Sequence, residues 1–105
     1  MSSSSSLVVK HFVGGHTIPD DLKNNVDGMM DRFQKKRSHF FFFFGSDDDL
    51  PLLAVYEMVK KGNTFQLYSM WINDAIPSSQ IRTRDYERHT KRMLRQSIPS
   101  ATILF

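Results

Sequence analysis

Few residues in this 105-residue chain are of types and spacings that could do chemistry. Asp47 and Asp49 follow the apolar run at residues 40–44, and an Asp-x-Asp pair after a strand can hold a hard cation for phosphoryl transfer. Gly45-Ser46 displaces the pair from the strand end, however, and helix capping is the simpler use. His11, His16, His39 and His89 are scattered, with no cysteine and no His-x-x-x-His pair, so a zinc site would need ligands from distant segments. Gly14-Gly15 lacks the Gly-x-Gly-x-x-Gly pattern of dinucleotide loops and reads as a turn. No serine has a histidine and an acid at useful spacing, so no nucleophile is proposed. Neither a metal nor a cofactor is expected from this inventory.

The remaining chemical feature is charge. Net charge is +3, from 14 basic and 11 acidic residues. Residues 81–95 hold six basic residues against Asp85 and Glu87, which leaves eight basic and nine acidic residues elsewhere. Arg84, Arg88, Lys91, Arg92 and Arg95 therefore form a local basic patch on one expected helix. It is either a solvated face or a docking surface for an acidic partner. A nucleic acid is disfavoured, because stacking aromatics do not interleave with the basic residues.

The elements that position these residues follow from periodicity. Residues 7–13 alternate loosely and end at Gly14-Gly15, a first strand and a turn. Thr17, Pro19 and Asp20 suit a helix start. Leu22, Val26, Met29, Met30 and Phe33 then mark one helical face, with Lys35, Lys36 and Arg37 at the negative end. Residues 40–44 do not alternate, which predicts a strand apolar on both faces. Asp49 as cap, Pro51, and the apolar face of residues 52–59 predict a second helix that stops at Gly62. A third strand at 64–72, a loop at 73–79, a basic helix at 84–96 with Tyr86, Met93 and Leu94 inward, and a last strand at 101–105 complete a β-α-β-α-β-α-β order. Trp71 and the six methionines are expected in the core. Short loops favour parallel crossovers for the early units.

That order, with Ile98-Pro99 leading into the last strand, resembles a thioredoxin domain. The chain is similar to the thioredoxin domain-containing protein 17 family in several pieces. These are Phe43-Phe44-Gly45-Ser46 after an aromatic strand, Leu50-Pro51-Leu52 at a helix start, Phe65-Gln66-Leu67-Tyr68 in the third strand, and Asp85-Tyr86 at the last helix. The resemblance implies an α/β, three-layer thioredoxin-like mixed sheet of about four strands, with helices on both faces. The domain would span residues 7–105 behind a disordered Ser-rich tail at 1–6. It would be C-terminally truncated, lacking the family's hairpin strand and last helix. The resemblance also implies a cis Pro99 and a cytoplasmic protein-disulfide reductase ancestry.

Reductase chemistry needs one thiolate to attack and a second thiol to resolve the mixed disulfide. The chain has no cysteine, so this form is expected to be redox-inactive. Peptide binding at Gly45, Ser46, Asp47, Ile98 and Pro99 could survive by strand addition. A protein or extended peptide would then be the partner. The alternative is a small basic binding module that uses the Arg-rich helix for a nucleic acid or an acidic protein. The last strand would be an uncovered apolar edge that promotes self-association. The longest apolar run is five residues against the ~20 needed to cross a bilayer, and no signal peptide is read at the N-terminus.

Overall fold

The computed structural model describes residues 7–26, 28–45 and 52–105. The serine tail, Ser46, Asp47, Asp49 and Pro51 lie outside the described residues. Five strands form one sheet in the order β1-β2-β3-β4-β5: β1 (Val8–Val13), β2 (His39–Phe44), β3 (Leu52–Lys61), β4 (Thr64–Ile72) and β5 (Thr102–Leu104). The first three neighbouring pairs are antiparallel, and β4 and β5 are parallel. The described α-helices are a single turn, α1 (Asp20–Lys23), and a long one, α2 (Thr83–Ser97).

The polyphenylalanine run shows why the sheet is sandwiched. Phe40 and Phe42 point to one face, where they meet Ile18, Val26, Met29, Phe33, Leu52 and Val55. Phe41 and Phe43 point to the other, where Ala54, Tyr56, Met58, Phe65, Tyr86 and Leu94 pack. All four rings are completely buried, and each such burial stabilises the fold by about 1.5–3 kcal/mol. One core thus faces α2. The opposite core is closed by the segment between β1 and β2.

Three expectations are corrected here. Residues 52–61 are not a helix but the central strand β3. A run that is apolar on both faces has no period to distinguish a buried strand from a buried helix. Gly62, read as a helix stop, instead turns a two-residue hairpin between Lys61 and Thr64. Its φ of +62° suits the first central position of a type II′ turn, which glycine fills without strain. The parallel crossovers expected for the early units are therefore absent, and the order is β-α-β-β-β-α-β.

The helix expected from Thr17 onward is one turn only. Thr17 Oγ1 donates to the Gly14 carbonyl at 2.8 Å rather than capping a helix. Asn24, Asn25 and Gly28, the last at φ +82°, interrupt the turn, and a short 3-10 segment follows at Arg32–Gln34. The apolar face survives without the helix: Val26, Met29 and Phe33 are buried. Met30 and Met70, expected inside, are about half exposed.

The third correction concerns Pro99. No described peptide bond is cis, so the Ile98–Pro99 bond is trans. By contrast, β4 falls on residues 64–72 as expected, and α2 extends the expected 84–96 by one residue at each end.

Candidate functional site

The basic helix is placed by its apolar side. Tyr86 stacks on Phe43 with ring centroids 4.8 Å apart and meets Tyr56 edge-on at 6.0 Å. Buried Thr90 returns its hydroxyl to the Tyr86 carbonyl at 2.8 Å. The Tyr56 hydroxyl beneath is buried without a hydrogen-bond partner, and burial, with Glu87 nearby, pushes its pKa up to about 12. It therefore stays protonated at neutral pH. Arg84, Arg88, Arg92 and Arg95 are turned to solvent. Lys91 is half-buried, with its ammonium 5.7 Å from the Phe105 ring centroid.

The start of α2 is held by the loop from β4. Asn73 donates from its backbone to Leu53 at 3.0 Å and from its side chain to Leu52 at 2.9 Å, while its Oδ1 accepts from Ala75 N–H at 2.9 Å. The first helix-spanning bond runs from Tyr86 N–H to the Arg82 carbonyl. No side-chain bond caps this end, so the amides of Thr83, Arg84 and Asp85 have no acceptor within the helix. These three residues line a cavity of about 440 Å³ together with Ile81, Arg82 and Arg88. The positive end of the helix dipole, with Arg82, Arg84 and Arg88 in the lining, favours an anion with several oxygens. Asp85 opposes such an anion, and Arg88, 3.8 Å from its carboxylate, offsets that charge.

On the opposite face lies a second cavity of about 460 Å³, lined by Lys35, Lys36, Arg37, Ser38, Glu57, Val59 and Tyr68. Tyr68 is there because β4 carries an extra residue. Ser69 pairs with Glu57 and Leu67 with Met58, which leaves Tyr68 as a bulge between them. Its ring, 58% exposed, lies 4.6 Å from the Arg32 guanidinium. Glu57 is 1% exposed. Its Oε2 accepts from Ser38 Oγ at 2.7 Å, whereas Oε1 has no hydrogen bond and faces Arg32 Nε at 3.8 Å. Sequence reasoning missed Glu57. The signal was an acid inside the apolar run at 52–59, hidden once that run was read as an amphipathic helix.

Two histidines also meet. His11 Nε2 lies 3.0 Å from His39 Nδ1, and the His11 ring stacks on Phe41 at 4.3 Å. Burial, with His39 beside it, lowers the His11 pKa from 6.5 to about 4; burial and then Lys60 lower that of His39. Among the described residues, no group of three or more His, Asp or Glu is placed to hold a metal ion.

Of the residues expected to bind peptide, the described ones, Gly45, Ile98 and Pro99, do not come together. Gly45 follows β2 at the end where β2 meets the start of β3. Ile98 and Pro99 follow α2 at the opposite end, beside the β3–β4 hairpin, where Thr102 N–H donates to Asn63 O at 2.9 Å. Ser46 and Asp47 lie outside the described residues.

A scan against protein-family models and a search of the curated proteins found no match. The structure is similar to the solved structure of an IAA acetyltransferase from Bacillus cereus ATCC 14579, with a TM-score of 0.59 and 14% sequence identity over 88% of this chain. The likeness is one of fold. This chain spans 60% of that protein's length. The finding overturns the thioredoxin resemblance and, with it, the expected four-strand thioredoxin-like sheet and the disulfide-reductase ancestry. The mixed five-strand sheet, antiparallel up to β4 and parallel between β4 and β5, matches an acetyltransferase fold. The thioredoxin expectation rested on a β-α-β-α-β-α-β order, and it fails where residues 52–61 enter the sheet as a strand. No helix among the described residues is long and apolar enough to cross a membrane.

Proposed function

We propose that this chain is an acyl-donor-binding domain, with the uncapped start of α2 holding the phosphate end of an acyl-coenzyme A. The observation that carries this reading is the set of donors around the 440 Å³ cavity: the Thr83, Arg84 and Asp85 amides with Arg82, Arg84 and Arg88. The likeness to an acetyltransferase supports the choice of an acyl carrier among phosphate-bearing ligands. Acyl transfer needs an activated acyl group, and coenzyme A is a group carrier whose phosphates suit such a donor set. The bound donor would supply the activated acyl group. The chain's own part is to fix the phosphates.

The donor set fits phosphate oxygens in chemical type. The lining includes three arginines, so the guanidinium groups do more of the holding than the backbone. Arg84 and Arg88 are exposed, and neither packs in the core. Replacing both (Arg84→Gln with Arg88→Gln) is therefore expected to leave the melting temperature unchanged while weakening acetyl-coenzyme A about tenfold or more, roughly 1.4 kcal/mol. Isothermal titration calorimetry of the parent and the double variant reads this directly. Equal affinity of the two proteins, or no heat with the parent, would sink the proposal.

A further inference from the structure

The Glu57 cavity on the other face of the sheet belongs to none of this. A buried carboxylate normally has its lone pairs satisfied, because an uncompensated charge in the interior is costly. At Glu57 one oxygen accepts from Ser38; the other is ion-paired with Arg32 Nε at 3.8 Å, beyond hydrogen-bond distance, so its lone pairs are without a donor. Arg32 is also engaged with Tyr68, its guanidinium 4.6 Å from the ring centroid. The cavity that Glu57 lines is rimmed by three consecutive cations, Lys35, Lys36 and Arg37, all exposed. Its walls include the apolar Val59 and the Tyr68 ring.

This arrangement is built into the fold. Gly14 N–H donates to the Ser38 carbonyl at 2.8 Å and Gly15 N–H to the Lys35 carbonyl at 2.7 Å, which pins both ends of the rim to the β1 turn. The β4 bulge adds Tyr68 beside the Glu57–Ser69 pair. An acid at the back and three cations at the mouth match a ligand with the reverse polarity.

We propose that this cavity binds a small zwitterion of the α-amino-acid type. Its ammonium is drawn to the Glu57 carboxylate, its carboxylate meets Lys35, Lys36 and Arg37, and its apolar side chain lies against Val59 and Tyr68. A volume of about 460 Å³ lies within the usual range for small-molecule sites. The site is independent of acyl-donor binding, since its residues and its probes are different.

The test uses the full chain and three probes related to L-leucine: leucine itself, isoamylamine, which lacks the carboxylate, and 4-methylpentanoate, which lacks the ammonium. Binding is followed by NMR titration or calorimetry. Leucine is expected to bind with a dissociation constant on the order of 1 mM or tighter, and each singly charged analogue at least tenfold more weakly. Glu57→Gln should abolish the preference for leucine over the acid. Because that change is buried and could disturb folding, the exposed pair Lys36→Gln with Arg37→Gln provides the second arm and should abolish the preference for leucine over the amine. Acid binding equal to leucine would reduce the site to a plain anion patch and overturn the proposal. So would amine binding equal to leucine, the absence of binding by all three probes, or an undiminished preference in the rim variant.

Discussion

At the scale of single residues, the His11–His39 pair shows how an ordinary side chain acquires a condition. A hydrogen bond between two imidazole nitrogens 3.0 Å apart needs one N–H and one lone pair, so at least one ring must be neutral. Burial holds the folded His11 pKa at about 4, against 6.5 for a free imidazole. The unfolded chain then takes up a proton near pH 6.5 that the folded chain refuses until about pH 4. The contribution to stability is complete above pH 6.5 and is lost progressively as the pH falls towards 4, where the difference is exhausted. His39 is shifted in the same direction, and Lys60 adds its charge to that effect. Thermal melts between pH 7 and 4 should therefore show a falling melting temperature. In His11→Gln, which keeps an amide group near His39 but does not titrate, the fall should be smaller. A slope unchanged by this substitution would assign the loss to other groups.

Among the elements, the Gly14-Gly15 turn has the least latitude. Gly14 has a φ of +87°, a conformation that only glycine adopts readily. A Cβ on Gly15 would overlap the backbone of Phe33, not a side chain that could swing aside. The closing segment at residues 29–38 packs Met29 and Phe33 against Phe40 and Phe42, so pushing Phe33 outward opens that core. Gly15→Ala is expected to destabilise the domain by about 1–3 kcal/mol, the range for forced core rearrangement. Urea melts should show a reduced midpoint. A midpoint matching the parent would mean that the segment yields without loss.

The same elements show what could be read from residues alone. The turn at Gly14-Gly15, the strand at 64–72, the doubly buried phenylalanines and the Tyr86–Leu94 face of α2 each carry a local signal that survives in the fold. β3 does not. Its apolar residues face both cores, so its pattern fits a helix as readily as a strand. Reading it as a helix turned the Gly62-Asn63 hairpin into a helix stop and produced a thioredoxin order. Glu57 was hidden by the same step, whereas the arginines of α2 were visible because an exposed helical face depends on no partner strand. The uncapped start of α2 was not legible, since Arg82 and Thr83 do not reveal which amides lack an acceptor.

For the molecule as a whole, the strands differ in how they are secured. β2 and β3 each have a neighbour on both sides and apolar contacts on both faces. β5 joins β4 over three residue pairs only, and its Leu104 and the following Phe105 are 48% and 41% exposed. α2, which leads into β5, is tied down mainly by Tyr86, Thr90 and Leu94. Local opening follows such differences, because segments with few buried contacts open at a lower free energy than the whole domain. Native-state amide exchange should therefore be slowest at Phe41, Phe42, Val55 and Tyr56, with protection near the global unfolding free energy, and faster at Ile103 and Leu104. Leu94→Ala, which removes a buried side chain between α2 and the sheet, should cost about 2–5 kcal/mol. It should accelerate exchange in α2 and β5 more than in β2 and β3. Equal acceleration in all four elements would instead describe a single cooperative unit, with the parallel strand as firmly held as the centre of the sheet.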